Sequence, residues 1–294
     1  MALWKIPLRV AAIAVAMALL SACVNWGGDP APGEGQLREG DEYVALGDSY
    51  TAAPGTGPVE VKDGCLRSST NYPHQVAERL DLKLTDVSCS GATTQHAVNP
   101  QALGSISRPP QVDAVSGTTD LVTVSLGAND FNVFAGILFA CPAVRAKDPA
   151  GAPCTALDAA TGKNSVKRRG AQIEKRIVQV VRLVKLRAPK ARVIIVGYPQ
   201  FFPVEGPCDQ LPLAAGDFAL ARHVNEFLVR AQLEAAATLK VEYVDVFTAT
   251  KGHDMCADEP WIAGLKPARP KAMFYHPYPK EQRVVADMLV KLLS

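Results

Sequence analysis

Short apolar runs alternate with longer amphipathic stretches along most of the chain. An apolar run of roughly four to eight residues, bounded by polar or turn-forming residues, is typical of a buried strand. Runs of this kind predict strands from Tyr43 to Leu46, Leu84 to Val87, Leu121 to Leu126, Arg192 to Gly197 and Val241 to Val246. We therefore expect a sheet whose strands are mostly buried.

Three amphipathic stretches predict helices, because their apolar residues recur at the spacing of one helical face. The three faces consist of Ile173, Ile177, Val180 and Val184, then Leu220, Val224, Phe227 and Ala231, and finally Val285, Met288, Leu289 and Leu292. Pro189 should end the first of these helices before the fourth strand begins. Strands and helices in alternation predict an α/β fold with a parallel sheet covered on both faces. In such a sheet, ligands bind at the carboxyl ends of the strands.

The N-terminal segment departs from this pattern. Lys5 and Arg9 precede an uncharged apolar stretch from Val10 to Leu20, which is typical of a secretory signal peptide and short for a membrane span. The sequence LSAC at positions 20–23 resembles the bacterial lipobox, in which the cysteine is lipidated and becomes the mature N-terminus. Residues 1–22 are therefore predicted to be a lipoprotein signal peptide, with Cys23 as the lipid anchor. Ordinary secretory cleavage at the same place is the alternative.

The rest of the chain is predicted to be a tether followed by one domain. Residues 23–40 are rich in glycine and proline and lack an apolar period, as in a flexible linker. No second segment of this kind divides residues 41–294, which we expect to form a single domain. We expect a monomer, attached by its N-terminal lipid to the extracellular face of the cell membrane, or secreted.

Charge excludes one class of partner. The formal net charge of the chain is +2, and the signal peptide alone contributes two basic residues and no acid. The mature chain is therefore formally neutral, which argues against nucleic-acid binding.

Apart from Cys23, the chain contains six cysteines: Cys65, Cys89, Cys141, Cys154, Cys208 and Cys256. An even number of cysteines in an exported chain predicts disulfides, here three, and six cysteines allow fifteen pairings. Sequential pairing is the simplest, because each bridge then closes a local loop. A metal site is the rival interpretation, but no CxxC or CxxH spacing supports it.

Polar motifs follow the first three predicted strands and precede the last helix. They are GDS at 47–49, CSGATT at 89–94, GAND at 127–130 and HPYP at 276–279. Each motif alone is compatible with an ordinary turn or helix cap. In this order, however, they bring a serine, a glycine, an asparagine and a histidine to places where a parallel sheet gathers its ligand-binding residues.

Together the four motifs resemble the sequence blocks of the SGNH (GDSL-like) hydrolases, from about Tyr43 to the C-terminus. The sequences CxRSxxxYP at 65–73 and GHDxC at 252–256, together with the six cysteines, are similar to the branch of secreted actinobacterial esterases and lipases. The resemblance implies a flavodoxin-like, three-layer α/β/α fold around a central parallel sheet. It also implies the sequential disulfides Cys65–Cys89, Cys141–Cys154 and Cys208–Cys256.

The resemblance also implies a role for one residue of each motif. Ser49 matches the nucleophile, and its backbone N–H matches the first donor of the oxyanion hole. The backbone N–H of Gly91 and the side-chain amide of Asn129 match the second and third donors. His276 matches the general base. A base that removes the hydroxyl proton and donors that stabilise the tetrahedral oxyanion are what acyl transfer requires.

The sequence departs from the family at the acid that usually orients the histidine. That acid is an aspartate three residues before the histidine, and Met273 occupies the position here. Some members of the branch use a backbone carbonyl instead, so we expect the carbonyl of Met273 or a neighbour to accept the Nδ1–H bond of His276. A carboxylate from elsewhere, first Asp254 or Asp258, is the alternative.

These observations predict an exported serine hydrolase that cleaves carboxylic esters, either lipid esters or short acyl esters, without a metal or organic cofactor. A polysaccharide acetyl esterase and a catalytically silent surface binding protein are the alternatives. The motifs GxSxG, HExxH and the P-loop are absent from the sequence. We expect Asp48 and Asp130 to stabilise the turns that present Ser49 and Asn129, and the role of His253 stays open between pocket lining and packing.

Overall fold

The computed structural model describes residues 36–162, 165–204, 206–267 and 271–294, all within a unit that extends from Pro32 to Ser294. The predicted signal peptide, the predicted lipidation site at Cys23 and most of the predicted tether lie outside the described residues.

The described part of the chain alternates strands and helices. The strands are β1 Glu42–Gly47, β2 Val59–Glu60, β3 Arg67–Ser68, β4 Lys83–Asp86, β5 Gln101–Leu103, β6 Ile106–Arg108, β7 Leu121–Ser125, β8 Arg192–Val196 and β9 Glu242–Val244. The α-helices are α1 Ser49–Ala52, α2 Tyr72–Leu80, α3 Thr94–Val98, α4 Val133–Ala135, α5 Cys141–Val144, α6 Pro153–Ala160, α7 Val166–Arg187, α8 Phe218–Leu239, α9 Val246–Ala249 and α10 Pro279–Leu293. A π-helix, Gly136–Ala140, joins α4 to α5. Short 3₁₀ turns occur at Gln111–Ala114, Asp130–Asn132, Arg145–Lys147 and Ala215–Asp217.

The central sheet confirms the predicted parallel arrangement. Five strands lie in the order β4-β1-β7-β8-β9, and every neighbouring pair is parallel. β1 and β7 pair in a register that places Gly47 opposite Ser125. The carboxyl ends of these two central strands, which lead into the GDS and GAND motifs, therefore meet at the same edge.

Helices cover both faces of the sheet, as the three-layer fold requires. Alternate strand residues point to opposite faces, so that Val44 and Leu46 belong to one core cluster and Tyr43 and Ala45 to the other. Helices α7 and α8 cover the first face with Ile173, Ile177, Ala221 and Val224. Helices α2 and α10 cover the second with Tyr72, Val76, Val285 and Leu289. The structure thus confirms the predicted apolar faces of α7 and α8. In α10 it confirms Val285 and Leu289, but Leu292 is exposed and Leu293 is buried in its place.

The ends of two elements have local causes. Helix α7 ends at Arg187, two residues before Pro189, because a proline disfavours the helical conformation of the residue before it. The fifth strand is shorter than predicted and stops at Val244, because Asp245 caps α9 by accepting a hydrogen bond from the Thr248 N–H at 3.0 Å. The predicted strand residue Val246 is therefore helical.

Three disulfides confirm the sequential pairing. They join Cys65 to Cys89, Cys141 to Cys154 and Cys208 to Cys256. The Cys141–Cys154 bridge closes a short helical segment, whereas the Cys65–Cys89 and Cys208–Cys256 bridges enclose the edge strands β4 and β9. In the residues that the structure describes, no helix combines the length and the apolar character needed to cross a membrane.

Candidate active site

The GDS motif forms the turn that connects β1 to α1. Asp48 caps α1 by accepting a hydrogen bond from the Tyr50 N–H at 2.9 Å, and Ser49 is the first residue of the helix. A side chain at Gly47 would collide with Thr51, whose Oγ1 would lie 2.0 Å from the added Cβ. Glycine at position 47 therefore permits this tight turn. The turn holds Ser49, which is 9% exposed, at the carboxyl end of a central strand.

The carboxyl group of Asp48 is fully buried beneath this turn. Burial raises its pKa to about 7, and hydrogen bonds from Tyr198 and the Tyr50 N–H partly oppose that effect. The structural role expected of Asp48 is confirmed, because its two oxygens tie the turn to the core.

Tyr198 connects the turn to the loop that carries Asn129. Its hydroxyl donates a hydrogen bond to Asp48 Oδ2 at 2.5 Å and accepts one from the Ala128 N–H at 3.1 Å. Tyr198 follows β8, at the same edge of the sheet, and its side chain is fully buried. One oxygen atom therefore fixes the distance between the GDS turn and the GAND loop.

The histidine lies on an extended segment before α10. The Ala263 N–H donates to the carbonyl of His276 at 2.9 Å, and the Tyr278 N–H donates to the carbonyl of Trp261 at 2.8 Å. These bonds pair residues 261–263 with residues 276–278, so the position of His276 is fixed before the helix begins.

Tyr50 brings the serine and histidine segments together. Its hydroxyl donates to the Tyr275 carbonyl at 2.8 Å, and its ring stacks on His276 with 5.9 Å between centroids. Gln282 reinforces the contact by donating to the Tyr50 carbonyl at 2.9 Å and accepting from the Tyr72 N–H at 2.8 Å. Tyr50, the residue next to Ser49, thus contacts the segment that precedes His276 and also helix α10, which follows it.

The predicted carbonyl partner of His276 belongs to Phe274, the neighbour of Met273, and not to Met273 itself. The carbonyl oxygen of Phe274 lies 2.8 Å from His276 Nδ1, whereas the Met273 carbonyl accepts from the His276 backbone N–H at 3.2 Å. Tyr275 has a left-handed backbone, with φ of 61°, which turns the Phe274 carbonyl toward the ring. Since a carbonyl only accepts, neutral His276 carries its proton on Nδ1 and leaves the Nε2 lone pair free to act as a base.

Asp254, one of the two carboxylates suggested as alternatives together with Asp258, has another partner. Asp254 Oδ1 accepts from the Cys256 N–H at 2.9 Å, and within the described residues His276 forms no ion pair with any carboxylate. Burial lowers the pKa of His276 below its ordinary value, and the contact with the Phe274 carbonyl opposes the shift. Neutral imidazole is therefore the main form at pH 7.

Gly91 and Asn129 lie in loops that contact each other. The Asn129 side chain donates through Nδ2 to the Ala92 carbonyl at 3.0 Å, directly beside Gly91. Gly91 is exposed and has φ of +76°, a conformation that favours glycine. An added Cβ would meet only Gln101 Nε2, at 3.9 Å. Backbone conformation, and not crowding within the chain, is thus what requires glycine at this position.

Asp130 braces the Asn129 loop from below, as expected. Its carboxylate is fully buried and accepts from the Thr94 N–H at 2.8 Å, the Thr94 hydroxyl at 2.5 Å and Arg176 Nη1 at 2.9 Å. Because Thr94 belongs to the CSGATT motif, these bonds join two of the four motifs.

His253 has a packing role in the structure. Its ring lies flat on Trp261, with centroids 3.8 Å apart and planes 6° apart, and its Nδ1 contacts the Glu259 carbonyl at 2.9 Å. In the described ranges, no cluster of three or more His, Cys, Asp or Glu side chains is arranged to hold a metal ion.

Tyr198 and Gln282 were not predicted from the sequence, and Phe274 was predicted only as an unspecified neighbour of Met273. Only Tyr198 carried a signal, because it follows the fourth predicted strand and the carboxyl ends of parallel strands gather functional polar groups. Phe274 acts through its backbone, and Gln282 lies among the polar residues of an amphipathic helix, so neither stands out in the sequence.

A buried acid next to Gln282 makes the stability of the fold depend on pH. Burial raises the pKa of Glu281 from 4.5 to about 8. Between these values the folded state retains a proton that the unfolded state releases, so stability falls as pH rises, by at most about 1.4 kcal/mol per pH unit. We expect the unfolding free energy of the wild type to fall relative to that of Glu281→Gln between pH 5 and pH 8, measured by urea denaturation. If the difference in unfolding free energy between the wild type and Glu281→Gln did not change with pH, the raised pKa of Glu281 would be contradicted.

Comparison with known proteins agrees with this architecture. The sequence pattern of the GDSL-like lipase/acylhydrolase family matches residues 45–283. Lipase 2 of Streptomyces coelicolor is 36% identical over 249 residues, which cover 79% of this chain and 81% of that protein. Phospholipase A1 from Streptomyces albidoflavus NA297 and the extracellular lipase from Streptomyces rimosus each align with a TM-score of 0.67 and 26% identity, over 86% of this chain and 98% of theirs.

The family match spans all four motifs, and the solved relatives share the α/β fold over nearly their whole length. The chain therefore belongs to the GDSL-like lipase/acylhydrolase family and is a carboxylic ester hydrolase.

Proposed function

We propose that the protein is an exported serine hydrolase that cleaves esters through an acyl-enzyme on Ser49, with His276 as the general base. The observation that carries the proposal is the contact of Tyr50 with the histidine segment, through the Tyr275 carbonyl and the His276 ring. Nε2 of His276 takes the proton of Ser49 as Oγ attacks the ester carbonyl, and returns it to the departing alcohol. Water then attacks the acyl-enzyme with the same base.

Three donors are proposed to stabilise the tetrahedral oxyanion. They are the backbone N–H groups of Ser49 and Gly91 and the side-chain amide of Asn129. The Asn129–Ala92 hydrogen bond and the Tyr198 bridge support this assignment, because they bring all three donor segments to one edge of the sheet.

The carbonyl of Phe274 is proposed to orient His276 in place of the usual aspartate. A neutral acceptor fixes the tautomer, but it stabilises the imidazolium less than a carboxylate does. The lowered pKa of His276 agrees with such a dyad.

A fluorophosphonate probe tests the proposal directly, because it labels only activated serines. We expect a single modified peptide that contains Ser49, and no labelling of Ser49→Ala. Ser69→Ala, which replaces an exposed serine, should label like the wild type. A protein that remains unlabelled would favour the surface binding protein.

The pH profile tests the role of His276. Because burial lowers the pKa of His276, the neutral base persists below the ordinary value of about 6.5. We expect kcat/KM for p-nitrophenyl acetate to fall on the acid side with an apparent pKa below 6.5. An acid limb above that value would contradict a partly buried histidine base with a neutral partner.

Replacing Asn129 with alanine tests the oxyanion hole. Loss of one donor typically lowers kcat about 100- to 1,000-fold, since the donor acts mainly in the transition state. We expect a fall of this size with KM nearly unchanged in steady-state kinetics. Asn99→Ala, at an exposed helix end, should retain full activity. A fall confined to KM would indicate ground-state binding instead.

The location of the protein is part of the proposal. Three disulfides support export, and the Streptomyces rimosus relative is an extracellular lipase. We propose that the hydrolase domain, residues 41–294, is a monomer held at the membrane by a lipid on Cys23 through the 23–40 tether. Metabolic labelling with palmitate, compared with Cys23→Ala, tests the anchor.

A further inference from the structure

Two phenylalanines near the site are exposed to solvent. All nine phenylalanines of the chain lie within the described residues, and among them only Phe139 and Phe274 are exposed, at 56% and 43%. Their rings meet edge to face with 6.4 Å between centroids, and the Phe139 ring also contacts Tyr275 at 5.9 Å. The two exposed rings thus form one apolar surface, which we call the aromatic rim.

The aromatic rim is continuous with the candidate active site. Phe274 supplies the carbonyl that faces His276 Nδ1, so its side chain lies only two residues from the histidine. On the other side, Phe134 packs against Tyr50, the neighbour of Ser49, with 6.0 Å between ring centroids. Phe134 and Phe139 belong to the same helical segment. The rim is therefore linked to the histidine through the Phe274 backbone and to the neighbour of the serine through the helical segment that carries Phe134.

The segment that carries Phe139 is fixed in place. Ile137 and Leu138 in the π-helix are buried, and Cys141 is buried and bonded to Cys154. Phe134 is packed against Phe201 at 4.6 Å. Phe139 is thus exposed on a segment whose neighbouring residues are buried and joined to α6 by a disulfide.

We propose that the aromatic rim binds the hydrocarbon chain of the ester substrate, so that the enzyme prefers esters with a medium or long chain over acetyl esters of small alcohols. This inference rests on the proposed function, since it assigns the substrate class of the same site. Each methylene that leaves water for an apolar surface contributes about a fourfold gain in kcat/KM if it is fully buried. A chain that covers two rings on an open rim buries part of several methylenes, which gives a total preference of about tenfold or more.

The test compares two series of soluble esters at concentrations below their micelle thresholds. One series lengthens the acyl chain, from p-nitrophenyl acetate to p-nitrophenyl octanoate. The other lengthens the alcohol, from ethyl acetate to octyl acetate. We expect Phe139→Ser to lower kcat/KM for the long esters of one series about tenfold and to leave both acetates of small alcohols within about twofold. The affected series identifies which side of the ester contacts the rim.

Two further variants control the experiment. Phe139→Leu keeps an apolar side chain and should retain most of the preference for long chains. Leu186→Ser removes a side chain that is 78% exposed at the C-terminal end of α7. That end leads into β8 at the amino edge of the sheet, opposite the site, so chain-length preference should not change.

Three results would overturn the proposal. They are an equal loss on short and long esters in Phe139→Ser, no loss on any ester below its micelle threshold, and, when p-nitrophenyl octanoate is also assayed above that threshold, a loss that occurs only there. The last result would assign the rings to docking on a lipid surface. Failure of the serine mechanism is a separate outcome, because Ser49→Ala would then hydrolyse acetyl esters as fast as the wild type.

Discussion

Replacing Ser49 with alanine is expected to lower kcat on p-nitrophenyl butyrate by about 10⁴- to 10⁶-fold, the range seen when a nucleophile that acts together with a base and an oxyanion hole is removed. Removal of the Ser49 hydroxyl leaves only a small gap at the carboxyl end of β1. The hydrogen bond between Asp48 and the Tyr50 N–H does not involve the Ser49 side chain. The variant should therefore fold like the wild type, so the loss can be assigned to chemistry.

The measurement is initial rate with a spectrophotometric ester, together with the thermal unfolding midpoint of each protein. A midpoint within about 2 °C of the wild type confirms that the fold is intact. Activity above about 1% of the wild type in a preparation free of wild-type protein would contradict Ser49 as the nucleophile.

Replacing His276 with alanine should have an effect of similar size, because the serine hydroxyl is a weak nucleophile without its base. Serine and histidine act as one unit, so the Ser49→Ala/His276→Ala double variant should be about as slow as either single variant. The result is read from kcat. Losses that multiply in the double variant would show that the two residues act independently, against the proposed dyad.

Three controls isolate the base from other effects. His253→Ala removes the ring stacked on Trp261 and should change thermal stability more than kcat. Asp254→Asn and Asp258→Asn should each keep kcat within about threefold, since the Phe274 carbonyl faces Nδ1. A large loss in either aspartate variant would restore the carboxylate alternative.

The layout of the domain followed from local patterns. Apolar runs predicted the five strands, and helical spacing predicted the faces of α7, α8 and α10, because burial on a sheet or helix leaves a period in the sequence. The order of the motifs placed Ser49 and Asn129 at the ends of β1 and β7, and the structure brings those ends to adjacent positions. Sequential pairing was the simplest choice for the six cysteines, and the resemblance to the family also implied it.

The features that escaped prediction depend on backbone conformation or on distant contacts. The carbonyl that faces His276 belongs to Phe274 because Tyr275 is left-handed, and no apolar period reports such a turn. Tyr198 meets Asp48 across 150 positions of sequence. The fifth strand ended early because a helix cap at Asp245 competes with strand extension, and both outcomes suit an apolar sequence.

The shared hydroxyl of Tyr198 has a consequence for engineering this enzyme. Asp48, Ala128 and Tyr198 meet at one oxygen atom, although they come from three separate strand ends. A loop taken from a relative to change selectivity would arrive with an amide positioned for a different partner. Transplanting the GAND loop alone would misalign the nucleophile turn, so the three strand ends have to be exchanged as a set.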